Sequence, residues 1–167
     1  LYSKEELSAI RRVCDENNLF LFADGARLGY GLEAPGNDVT LADLAACCDV
    51  FYIGGTKIGA LLGEAVVIVN PKLQKDFRYF MKQKGAMLAK GRILGIQFLA
   101  LFEDGLYFKL SKHADEMAQI IRQACAECGF ELLYDSPTNQ QFPIMPDDLI
   151  KQLEELYAFS HTKRLDH

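Results

Sequence analysis

Two short stretches of this chain carry residue types that can do chemistry together. Asp24-Gly25-Ala26-Arg27 follows directly on the apolar run Leu19-Phe20-Leu21-Phe22-Ala23, and Gly54-Gly55-Thr56-Lys57 follows Val50-Phe51-Tyr52-Ile53. Apolar runs of that length read as strands, so each motif sets a charged group at a strand end. The 33 positions from Asp24 to Lys57 hold a glycine-rich loop, a helix and the second strand, about what a right-handed βαβ crossover needs. The two strands are therefore expected to be parallel and close. In open α/β sheets ligands bind just beyond the carboxyl ends of the strands, so Asp24 and Lys57 converge on one pocket. A buried carboxylate beside a lysine points to pyridoxal phosphate. That cofactor needs an amine to hold its aldehyde as a Schiff base, and an anion to keep its pyridine nitrogen protonated as an electron sink. Gly54, Gly55 and Gly59 are expected to let the backbone approach the flat ring and adopt turns closed to other residues.

Each motif has a plainer reading when taken alone. An Asp-Gly after a strand is an ordinary turn. Gly-Gly-Thr-Lys invites a phosphate-loop reading, but the Gly-x-x-x-x-Gly-Lys-Ser/Thr order is absent and no helical pattern starts cleanly after Lys57.

The elements that must position these residues come from a chain of globular composition. Its 167 residues are 50% hydrophobic and 25% charged, enough for one sizeable core. A net charge of −5 with scattered basic residues argues against nucleic acid. No apolar run approaches a membrane span and no signal pattern opens the chain, which leads to an expected cytoplasmic location. The five cysteines, Cys14, Cys47, Cys48, Cys125 and Cys128, form no secreted-domain framework and are expected to be reduced thiols. Cys125 and Cys128 have the spacing of a metal knuckle but lack a second pair. His113, His161 and His167 form no cluster, so no metal site is expected.

Ser3 to Glu6 reads as a capping box opening a helix into Asn17-Asn18, and Thr40 caps a second helix ending near Cys48-Asp49. Ala65–Val69 reads as a third strand buried on both faces, followed by a helix from about Pro71 to Met81. Met87 to Glu103 reads as a largely buried helix whose apolar face, Ile93 to Leu101, is assigned to the core. A further helix from Leu106 to Cys128 ends at Gly129. Strand-like segments at Phe130–Tyr134 and Gln140–Ile144 precede an amphipathic helix from Asp147 carrying Leu149, Ile150, Leu153, Leu156 and Tyr157. Asn139 is assigned to a turn. The change of pattern at Gly105 divides the chain into residues 1–104, part of a large α/β domain, and 105–167, part of a smaller α+β domain. Three strands are too few to complete a doubly wound sheet, so the chain is expected to be part of something larger or to need a partner.

In the order Asp24-Gly25-Ala26-Arg27-Leu28-Gly29, Thr40-Leu41-Ala42-Asp43-Leu44-Ala45, Gly55-Thr56-Lys57, Gly63-Glu64-Ala65 and Gly85-Ala86-Met87 through Gly91, the chain resembles the fold-type I, pyridoxal-phosphate-dependent threonine aldolases and their beta-eliminating lyase relatives. The resemblance implies a mostly parallel sheet with helices on both faces. It makes Lys57 the Schiff-base lysine and Asp24 the partner of the pyridine nitrogen. Arg27 would face either the cofactor's phenolic oxygen or the substrate carboxylate, and Thr56 and Lys90 join the cofactor-binding set. The implied reaction is cleavage of a β-hydroxy-α-amino acid, threonine or allo-threonine, to glycine and an aldehyde, in a homodimer or homotetramer. No residue stands out as the base for the β-hydroxyl proton.

The chain also departs from that pattern. Leu88 stands where many of these aldolases place an arginine directed at a neighbouring subunit's cofactor phosphate. Lys84, Lys90 and Arg92 are the available substitutes, and Lys90 and Arg92 read equally well as solvated helix charges. The family's ring-stacking residue and phosphate loop would lie upstream of Leu1, and its distal arginine beyond the small domain. Two other readings stay open: a β-eliminating lyase or aminotransferase on the same scaffold, and a non-catalytic fragment without the phosphate loop.

Overall fold

The structure is a computed structural model that describes residues 2–162. The chain divides into two compact units, Leu1–Ala114 and Asp115–His167.

The first unit opens with helix α1 (Lys4–Glu16), and its start follows from local chemistry. The Ser3 hydroxyl accepts from the Glu6 N–H at 3.2 Å while the Glu6 carboxylate accepts from the Ser3 N–H at 2.8 Å, the reciprocal capping box expected there. Strand β1 (Phe22–Ala23) is followed by α2 (Leu28–Glu33), α3 (Leu41–Cys47), β2 (Val50–Gly54) and β3 (Glu64–Ile68). Thr40 and Asp43 cap α3 in the same reciprocal way. β1 and β2 are parallel, with Phe22 opposite Val50 and Ala23 opposite Phe51, as the crossover length requires.

Several elements differ from their sequence-based expectation. The glycine-rich loop after Arg27 contains α2, whose Gly29, Tyr30 and Gly31 are buried. β3 runs antiparallel to β2, with Gly54 opposite Glu64. The nine residues between them form too short a connection for a parallel crossover. β3 is an edge strand of the described sheet, and Val66 stays 49% exposed instead of being buried on both faces. The helix expected over Pro71–Met81 is two pieces, α4 (Pro71–Gln74) and α5 (Phe77–Gln83), broken at Asp76, which sits at φ 59°. The helix expected from Met87 begins later, as α6 (Arg92–Phe102), after an irregular segment that starts at Gly85 with φ 75°. α6 packs Phe98 and Leu101 against the core but leaves Ile93, Ile96 and Leu99, three residues apart on one face, exposed. It therefore covers the core with one side only.

The core joins Leu7 of α1, Tyr30, Leu44, Phe51 and Ile53 of the sheet, Ile58, Leu101, and Tyr107 at the start of α7 (Leu106–Glu127). Asp49 ties these elements at the other end of β2. Its carboxylate accepts from Arg11 at 2.8 Å, from the Leu21 N–H at 2.7 Å and from the Asn70 side chain at 2.6 Å.

In the second unit, α7 ends as expected, with Gly129 at φ 78° just beyond its last turn. The two strand-like segments form an isolated antiparallel bridge, Leu132 to Pro143, flanked by bonds from Leu133 N–H to the Phe142 carbonyl and from Ile144 N–H to the Glu131 carbonyl, both 2.8 Å. Pro143 has no N–H to extend that ladder. The last helix, α8 (Asp147–Leu153), starts at the expected residue and stops before Leu156 and Tyr157. The break between the units falls inside α7, whereas the change of sequence pattern at Gly105 marks that helix's beginning.

Candidate functional site

The ends of β1 and β2 are pressed together backbone to backbone. A Cβ at Gly25 would lie 1.7 Å from the Tyr52 carbonyl oxygen, and one at Gly54 would lie 2.5 Å from the Ala26 carbonyl oxygen. The Gly54 N–H donates to the Gly25 carbonyl at 2.9 Å. At these glycines the strand contact itself leaves no room for a side chain. Gly55 likewise faces Phe98 and Ala60, and Gly59, at φ 102°, faces Leu110 and Leu101. The positive φ of Gly59 is the turn conformation the sequence implied, while Gly54 and Gly55 are also required by packing behind the loop.

That close approach sets Asp24, the first residue past β1, beside Tyr52 of β2. The Tyr52 hydroxyl donates to Asp24 Oδ1, and the Ala26 N–H donates to the same oxygen at 3.0 Å. These two donors, joined by the nearby charge of Lys57, hold the Asp24 carboxyl below the usual carboxylate range. The same bond to Asp24 pushes the Tyr52 phenol up. Asp24 is exposed in this chain, not buried as its position after an apolar strand suggested. The donors reinforce the ionisation that an exposed carboxylate already has, and burial would oppose it.

Lys57 sits on a loop that is pinned from several sides. The Gly55 N–H donates to Glu64 at 2.8 Å, the Thr56 hydroxyl lies 3.5 Å from the same carboxylate, and the buried Tyr30 donates its hydroxyl to the Lys57 carbonyl. Behind the loop, the fully buried Tyr107 accepts from the Gly29 N–H and donates to the Gly54 carbonyl, each at 3.1 Å. Burial pushes its phenol up to about 12. The backbone of Lys57 is thus fixed while its side chain is exposed.

The structure brings Asp24, Lys57 and Thr56 to adjacent strand ends, with exposed Arg27 three residues past Asp24 at the start of α2. It does not join Lys90 to them. Lys90 is exposed on the turn before α6, and no hydrogen bond or ion pair among the described residues links it to Asp24, Arg27 or Lys57. Tyr52, Tyr30, Tyr107 and Glu64 are the supporting residues that sequence reasoning passed over. Tyr52 could have been found, because one further step of the parallel register places it opposite Asp24. Tyr107 could not, being 78 residues from the Gly29 N–H it meets.

An open groove of about 430 Å³, lined by Leu32, Glu33, Val39, Thr40, Leu41, Ala42 and Phe108, contains none of these residues. In the second unit, Asn139 lies in its turn with Oδ1 buried and without a hydrogen-bond partner among the described residues. All five cysteines are free. Among the described residues no group of three His, Cys, Asp or Glu side chains could hold a metal, and no helix is long and apolar enough to cross a membrane. His167 lies outside the described residues.

The chain's α/β fold, with Asp24 and Lys57 at the ends of neighbouring parallel strands, matches that of threonine aldolase structures of the fold-type I class. The family pattern described as beta-eliminating lyase matches residues 1–147, and the chain belongs to that family. It is 34% identical over 154 residues to a low specificity L-threonine aldolase of Pseudomonas sp. (strain NCIMB 10558), covering 92% of this chain and 44% of that protein. It is 30% identical over 154 residues to the protein of that name from Pseudomonas aeruginosa, with the same two coverages. A solved structure of Leishmania major threonine aldolase superposes with a TM-score of 0.96 at 44% identity, over 98% of this chain and 48% of that one. The chain therefore spans somewhat under half the length of these relatives.

Proposed function

We propose that this chain carries the lysine-and-carboxylate part of a pyridoxal phosphate site. The protein it represents is a carbon–carbon lyase that cleaves a β-hydroxy-α-amino acid, threonine or allo-threonine, to glycine and an aldehyde. The observation that supports this best is the pair Asp24 and Lys57 on adjacent parallel strand ends, the one charge helping to hold the other ionised.

The donor set fits the cofactor. Both donors to Asp24 among the described residues fall on Oδ1, so Oδ2 remains available to accept from a protonated ring nitrogen. Lys57 offers an exposed primary amine for the aldehyde. When bound, the cofactor supplies the electron sink for the electrons released as Cα–Cβ breaks. Asp24 keeps the ring nitrogen protonated throughout. The planar guanidinium of Arg27 suits a carboxylate, so it binds the substrate's carboxylate or the cofactor's phenolic oxygen. Thr56 and Lys90 complete the proposed cofactor-binding set, Lys90 as a substitute for the arginine that Leu88 replaces, and a homodimer or homotetramer supplies the remaining groups. The pattern of the relatives and the pinned backbone around Lys57 support this reading together.

The test is an absorbance scan after adding pyridoxal phosphate, followed by borohydride reduction and peptide mapping. The expected result is a reduced adduct on Lys57, lost in Lys57→Ala. An adduct that persists in Lys57→Ala removes Lys57 from the site. Asp24→Asn is expected to keep part of the cofactor binding and to slow cleavage of threonine by about a hundredfold or more.

A further inference from the structure

Asp24 is an exposed carboxylate, and an exposed carboxylate ordinarily turns freely about its Cβ–Cγ bond and offers either oxygen. Here the two oxygens are unequal. Oδ1 takes the Ala26 N–H from its own loop and the Tyr52 hydroxyl from the next strand, while Oδ2 takes no hydrogen bond from the described residues. The second donor is 28 residues away in sequence and is delivered by the glycine-to-backbone contacts that bring β1 and β2 together. Tyr52 is itself steadied. Phe22, two residues before Asp24 on the same strand face, sets its ring 6.1 Å from the Tyr52 ring at an interplanar angle of 30°.

We infer that Tyr52 is a positioning residue for the site. By occupying Oδ1 together with the Ala26 N–H, it fixes the plane of the Asp24 carboxylate and leaves Oδ2 as the oxygen offered to a cationic ring N–H. This rests on the proposed function, in which Asp24 faces the cofactor's ring nitrogen. Tyr52 does not meet the ring nitrogen itself; it acts through Asp24. The charged groups that reach the pair are Lys57, near Asp24, and Glu64, near Tyr52. The first favours the ionised carboxylate and the second the protonated phenol, so both favour the donor and acceptor roles drawn here.

Tyr52→Phe removes the hydroxyl and keeps the ring, and three readouts follow it. In the chain without cofactor, the carboxyl carbon of Asp24 is titrated by NMR; it is expected to titrate at higher pH in Tyr52→Phe than in the wild type. With pyridoxal phosphate labelled at its ring nitrogen, the variant is expected to bind about tenfold more weakly and to show a smaller share of protonated ring nitrogen. Borohydride should still tag Lys57 in the variant. As a reciprocal check independent of that substitution, Asp24→Asn is expected to bring the titration of the Tyr52 phenol, followed by NMR, down toward an ordinary tyrosine. An unchanged Asp24 titration in Tyr52→Phe, or unchanged cofactor affinity and ring protonation, overturns the role of Tyr52 and leaves the site reading standing. A wild-type chain that takes up no pyridoxal phosphate overturns the site reading, and the inference with it.

Discussion

Single atoms decide whether the two strand ends can meet. Gly25→Ala would put a methyl group 1.7 Å from the Tyr52 carbonyl oxygen, a clash with backbone that no rotamer relieves. β1 and β2 would have to separate. The expected outcome is a loss of about 2 kcal/mol or more in urea unfolding, together with loss of the borohydride tag on Lys57. Tyr107 is the opposite case, a large side chain whose polar end cannot be spared. Tyr107→Phe leaves the Gly29 N–H and Gly54 carbonyl without that partner in a buried setting. It is expected to cost about 1–3 kcal/mol, checked as a lower urea midpoint at unchanged slope. At this scale the charged residues of the site were legible in the sequence, because chemistry restricts which residue types can do the work. Of their supports, Tyr52 could be placed from the parallel register but Tyr30 and Tyr107 could not, because a tyrosine reads the same whether it fills a core or holds a backbone carbonyl.

Among the elements, the order of strands rests on how β2 is tethered at both ends. Its carboxyl end is held by the glycine contacts and Tyr107, its amino end by Asp49, which gathers α1 through Arg11, the approach to β1 through the Leu21 N–H, and the exit of β3 through Asn70. Asp49→Ala leaves the Arg11 charge, only 20% exposed, without this partner. It is expected to cost about 2–4 kcal/mol, read from thermal or urea unfolding. Alanine at an exposed position such as Lys72 serves as the control and is expected to change stability little. Helix starts with a side-chain cap were readable to the residue, at Ser3 and Thr40, since a cap is a local bond between neighbours in sequence. Breaks such as the one at Asp76 were not, because nothing local forbids the helix from continuing there.

For the whole molecule, acid is the condition that acts on these ties together. Asp49 is held at about 2 by Asn70, the Leu21 N–H and Arg11, and Asp43 at about 2 by Thr40 and Lys4. A carboxylate depressed in the folded state stabilises the fold above its unfolded value near 4 and loses that contribution as pH falls toward the folded value. The melting temperature is therefore expected to be level from about pH 7 to 5 and to drop between about pH 4 and 2, with a shallower drop in Asp49→Asn. A level profile down to pH 2 would contradict the assignment of these ties. The sequence by itself determined the α/β class, the capped helices, the crossover that makes β1 and β2 parallel, and the two charged strand ends, because all of these follow from spacing and local bonding along the chain. Only the tertiary structure decided that β3 turns back antiparallel, that α6 keeps one apolar side open, and that the glycines join strands. It also decided that Tyr52 shares Asp24. Each of these depends on which surfaces meet across the fold, and no local pattern encodes that meeting.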